Sequence, residues 1–133
     1  MKPLLFFTIL LLLPCYGCPK HCVVLPPNIL FRIIDGQTQE DLLASGKLKD
    51  ADIKVVDPSG KMYPVAVYGN DTLKYVNTYD FKVGEHRYIL AAGEKRVEFS
   101  VAASENDCEV YVKTIEMNGV YFLDPRGFYV VLL

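Results

Sequence analysis

The side chains with the most chemical potential lie close together near the start of the chain. Cys18-Pro19-Lys20-His21-Cys22 brings two thiols and an imidazole into one short run. Those donors suit zinc or copper. A structural site needs a fourth ligand, and Cys18 has a competing role described below, so no metal is assigned. His86 is the other of the two histidines. No serine stands in a Gly-x-Ser-x-Gly elbow to use it, and no cysteine has an evident base. Asp50, Asp52 and Asp57 carry enough carboxylate for calcium but lack the spacing of an EF-hand loop. Aspartates at strand ends ordinarily close turns. The chain reads as a non-enzyme, with no catalytic residue and no cofactor.

The cysteines make more sense as anchor and tether. Met1-Lys2 precedes an apolar run from Pro3 to Leu13, followed by Pro14-Cys15-Tyr16-Gly17-Cys18. A basic start, a short apolar block and a small residue at the cut are the marks of an export signal. The apolar block is too short to span a bilayer as a helix. Cleavage after Gly17 leaves Cys18 first, where it can carry a lipid; the same cut by an ordinary signal peptidase leaves it bare. Gly17 fits a bacterial lipobox, whereas Cys15 and Tyr16 fit it poorly. The expected layout is a signal peptide over 1–17, a lipid-anchor and proline-rich tether over 18–28, and a β-sandwich domain over 29–133. Of the four cysteines, Cys15 leaves with the signal. With Cys18 lipidated, Cys22 and Cys108 remain, and in an oxidising compartment they can form a disulfide that ties the tether to the domain. The alternative is that Cys108 is a small buried apolar residue.

Loss of Lys2 with the signal takes the basic residues from 14 to 13 against 16 acidic, a formal charge of −3. The charges are scattered with no basic stripe, which excludes nucleic acid as an expected partner. Nine tyrosines and no tryptophan suggest an aromatic surface. Tyr75 and Tyr79 share strand parity and form the candidate binding pair, able to stack on a sugar ring or a partner protein. Tyrosine is also simply a good strand former. Asn70-Asp71-Thr72 is a glycosylation sequon in a turn; in a bacterial protein it is turn chemistry alone.

The elements that must position these residues are nearly all strands. From Ile29 onward β-branched and aromatic residues dominate, with a period near two. Strands are expected at 29–34, 52–57, 61–68, 72–79, 86–92, 95–101 and 108–115, with a closing strand at 128–133. Tyr63, Val65 and Val67 fall on one face of the third. Val97, Phe99 and Val101 alternate with Arg96, Glu98 and Ser100, as in a half-buried antiparallel strand. The last strand is almost wholly apolar, which places it inside a sheet. Thr38-Gln39-Glu40-Asp41 fits a capping box opening one short helical turn. Leu42 and Leu43 plug the sheet, and Gly46 supplies a left-handed stop. The fold class is therefore all-β: a single antiparallel β-sandwich of about 8–9 short strands with one short helical turn.

Several of these motifs resemble the short bacterial cell-envelope lipoproteins of unknown function. They are Phe31-Arg32-Ile33-Ile34-Asp35 with Thr38, Asp41-Leu42-Leu43, Asp52-Ile53-Lys54, Asp57 with Gly60, and Arg87-Tyr88-Ile89-Leu90, then Cys108, Ile115 and Asn118-Gly119. That resemblance implies a transthyretin-like or immunoglobulin-like sandwich and brings no activity with it. The expected function is a lipoprotein anchored on the periplasmic or outer face of a bacterial envelope, acting as a non-catalytic binding or structural module. Its partners would be the membrane, through the lipid, and a protein or glycan. Alternatives are a freely secreted small enzyme or inhibitor, and a subunit of an envelope protein complex.

Overall fold

A computed structural model describes residues 28–106, 109–117, 121–123 and 129–133. Cys18, Cys22, Cys108, the proline tether, Asn118-Gly119 and residues 124–128 lie outside the described residues. The strands are β1 (Asn28–Ile34), β2 (Ile53–Val56), β3 (Met62–Tyr63), β4 (Val65–Gly69), β5 (Lys74–Tyr79), β6 (Gly84–Ala92), β7 (Lys95–Glu105), β8 (Val110–Met117), β9 (Tyr121–Leu123) and β10 (Tyr129–Leu132). They form two five-stranded sheets, β4-β5-β1-β10-β9 and β3-β2-β6-β7-β8, called sheet one and sheet two below.

Period-two patterning builds the core between the sheets. Ile29, Phe31 and Ile33 of β1 turn inward, as do Tyr88 and Leu90 of β6 and Phe99 and Val101 of β7, all buried. Aromatic rings meet across the middle at edge-favouring angles. Phe31 and Phe99 lie 5.3 Å apart at 69°, and Phe81 and Tyr88 4.9 Å apart at 76°. Such pairs add to the stabilisation that burial alone gives. β10 lies between β1 and β9, where its apolar sequence requires it to be. β6 and β7 form the expected hairpin, with Ala92 opposite Lys95.

Three expectations are corrected. The strand over 61–68 is two strands. Tyr63 pairs with Val55 in sheet two, while Val65 pairs with Thr78 in sheet one. Pro64 lies between them, and having no N–H it cannot continue a ladder. The chain crosses from sheet to sheet there, leaving β3 and β4 as edges. Secondly, the sandwich is not wholly antiparallel, because β1 and β10 run parallel, with Phe31 beside Tyr129. No crossover helix is needed, since the rest of the domain serves as the connection.

Thirdly, Thr38 caps nothing. Asp35 takes the amides of Gln37 and Thr38, each at 2.8 Å. The turn begins three residues later, where Asp41 Oδ1 accepts the amides of Leu43 (3.1 Å) and Ala44 (2.9 Å). It closes with the Ser45 amide on the Asp41 carbonyl and stops at Gly46, φ +77. Aspartate is the stronger cap, and here it also has tertiary work. Asp41 bridges to Ile34, and its Oδ2 accepts the Lys74 amide at 3.1 Å, with Arg32 Nε at 3.5 Å. It thus fills the gap where β5 parts from β1. Leu42 and Leu43 are buried in the core as expected. The only helical element among the described residues is a 3-10 turn at Asp50–Asp52.

Candidate functional site

The outer face of sheet one carries the tyrosines. On β5, Val76 and Thr78 are buried inward, so Tyr75, Asn77 and Tyr79 face out together. Tyr75 and Tyr79 therefore do share a surface. Tyr68 of β4 lies directly opposite Tyr75, and the two rings are 5.7 Å apart at 32°. Tyr68 is 49 % exposed, whereas Tyr75 and Tyr79 are half-buried. Asn77 stands between Ala66 of β4 and Leu30 of β1. Its Oδ1 is buried with no hydrogen-bond partner among the described residues. The chemistry on offer is π-face stacking beside an amide, which suits a sugar ring or a polar protein surface.

Sequence reasoning missed Tyr68. A turn drawn over Gly69-Asn70-Asp71 sets the wrong hairpin register. The loop actually runs 70–73, with Gly69 opposite Lys74. The signal was Asn70: its Oδ1 accepts the amides of Thr72 (2.9 Å) and Leu73 (3.0 Å) and the Thr72 hydroxyl (2.7 Å). The longer loop that this Asx turn opens moves the partner of Tyr68 on by three residues, from Thr72 to Tyr75. The same bonds commit the sequon's amide oxygen to the loop.

At one end of the sandwich, a buried carboxylate meets one buried phenol, and a second buried phenol packs against the first. Asp57 Oδ1 accepts from the Ser59 hydroxyl and from the amides of Ser59 (2.9 Å) and Lys61 (3.1 Å). Its Oδ2 accepts from the Tyr63 hydroxyl at 3.3 Å and from Lys82 Nζ at 3.4 Å. The Lys82 amide donates to the Tyr88 hydroxyl at 3.3 Å. The Ser59 hydroxyl, helped by the two amides and Lys82, outweighs burial and holds Asp57 down at about 2. Burial pushes both phenols up, and in Tyr63 the Asp57 charge adds to it. The group is thus an anion locked in place under two neutral phenols, and it staples the 57–63 turn to the segment before β6.

The other candidates disperse. Asp50 Oδ1 meets Lys74 Nζ at 3.4 Å, and Asp52 Oδ2 accepts the Lys49 amide at 3.0 Å. Asp50, Asp52 and Asp57 thus serve separate contacts and do not converge on one site. His86 Nε2 lies 2.9 Å from the Val83 carbonyl, so that nitrogen carries the proton and donates.

A second concavity lies on the outer face of sheet two. It is a furrow of about 430 Å³ whose lining includes Glu85, Arg87, Ile89, Glu98, Ser100 and Glu116. Beside it is a hollow of about 70 Å³ reaching Ala102 and Thr114.

No family model, curated protein or solved structure matches the chain.

Proposed function

We infer that this chain is a non-catalytic binding module of a bacterial cell envelope, held at a membrane by a lipid on Cys18. Its contact surface is the tyrosine face of sheet one. The observation behind this reading is the Tyr68–Tyr75 pair, with Tyr79 on the same outward face. Aromatic side chains on an outer sheet face give large contact area at little conformational cost. The anchor rests on the sequence, on Gly17-Cys18 at the end of a short apolar block. A sandwich on a proline-rich tether would present that face at a distance from the bilayer.

Two measurements test the reading. The intact mass of protein extracted from native membranes should equal Cys18–Leu133 plus a diacylglycerol and an acyl chain. A bare polypeptide in the soluble fraction removes the anchor. Glycan arrays and pull-downs should give a ligand whose binding weakens about tenfold in Tyr68→Ala, an exposed position whose loss leaves the core intact. If both screens are blank, the tyrosine face has no role in recognition.

A further inference from the structure

We propose that the furrow on sheet two is a second, independent binding site, and that it takes an extended basic peptide with lysine or arginine at alternate positions. Cross-strand register fixes its shape. Arg87, Ser100 and Glu116 form one row across β6, β7 and β8; Glu85, Ala102 and Thr114 form the next. Ile89 and Glu98 form a third. The outward residues of β7 in the first two rows are small, while those of β6 are long. The result is a trough along β7 whose walls are two strand spacings apart, about 10 Å. Its volume is in the range of ligand sites, roughly 300–1,000 Å³.

Each row supplies one carboxylate: Glu85, Glu116 and Glu98 in turn. Successive rows are two residues apart along the strands, about 7 Å. That is also the spacing of same-face side chains in any extended peptide. A Lys-x-Lys-x-Lys segment lying along β7 would set one ammonium in each row, reaching to β6 for Glu85, to β8 for Glu116 and down to β7 for Glu98. Arg87 is the one cation in the three rows, and its guanidinium can donate to the backbone carbonyls of such a peptide. A polyamine has no carbonyl to accept from it. None of Glu85, Arg87, Glu98 and Glu116 is spent on another charge among the described residues, and all four are exposed. Charge complementarity of this kind selects partners and speeds their encounter.

The test is an amide-resolved NMR titration of the protein with Ac-Lys-Ser-Lys-Ser-Lys-amide at low salt. Shifts are expected to cluster on β6–β8 around Ser100 and Ala102. Affinity should fall at least tenfold in the double variant Glu98→Gln/Glu116→Gln, whose spectrum also reports that it is folded. Ac-Lys-Lys-Lys-Ser-Ser-amide, with the same charge at the wrong spacing, should bind several-fold more weakly. Three results would overturn the proposal: no shifts, shifts spread over the whole surface, or shifts unchanged in the double variant. Equal binding of the contiguous peptide or of spermidine would overturn the assignment to an alternating basic strand. Tyr68→Ala should leave this binding untouched, which separates its failure from failure of the tyrosine face.

Discussion

Thr78 is wholly buried, facing inward from β5, and its hydroxyl has no hydrogen-bond partner among the described residues. Nothing it touches offsets the water it lost. Thr78→Val keeps the shape and removes the polar atom, so it should stabilise the domain by about 1 kcal/mol. Calorimetry should show a rise of roughly 4 °C in melting temperature; a fall would mean that the hydroxyl has a bound water. Asp57 makes the opposite case. Its folded carboxyl is depressed from the ordinary 3.8 to about 2, so the folded state binds fewer protons than the unfolded one across that interval. The stability this carboxylate contributes is present in full above pH 4 and is lost as pH falls from about 4 to about 2. In Asp57→Asn, stability measured by urea at stepped pH should be lower at pH 7 and should decline less steeply between 4 and 2. An unchanged slope would show that Asp57 is not the group responsible.

At the scale of elements, the turns carry the specificity. Gly69 ends β4 at φ +129, where a Cβ would lie 2.1 Å from the Leu73 carbonyl oxygen. Gly46 also has positive φ, +77, but open space around its Cα. Gly46→Ala should cost about 1–2 kcal/mol, the left-handed penalty alone. Gly69→Ala should cost clearly more, because the β4–β5 hairpin must open, carrying Tyr68 away from Tyr75. Paired denaturation curves check the order. Asp41→Ala should lose about 2–4 kcal/mol, since three amides from two segments are left without an acceptor. These turns also mark where the sequence stops being readable. Alternation told inside from outside on β7, and apolar content told that β10 is interior, because both are properties of one strand. Thr38 against Asp41 as the cap could not be decided locally, since Asp41 wins through the Lys74 amide, a partner far along the chain. Pro64 was visible, yet a proline between two good strand formers reads as a blemish until the second sheet exists for the chain to cross into. Of the tyrosine face, Tyr75 and Tyr79 followed from parity. Tyr68 needed the hairpin register, which one Asx turn sets. The furrow of sheet two depends on three strands being neighbours, and no single-strand pattern contains that.

At the scale of the molecule, the two sheets leave two outer faces of unlike chemistry, aromatic and amide on one, charged on the other. Two partners could be engaged at once without sharing a residue. The parallel pairing of β1 with β10 has a further effect. Phe31 sits beside Tyr129, almost a hundred residues later. β1 is the middle strand of its sheet, and one of its two edges has no neighbour until β10 has been made. Contacts so distant in sequence slow folding. Until β10 is in place, β1 therefore presents an open, apolar strand edge. A chain released short of Tyr129 should remain soluble only with a holding chaperone; alone it should aggregate through that edge.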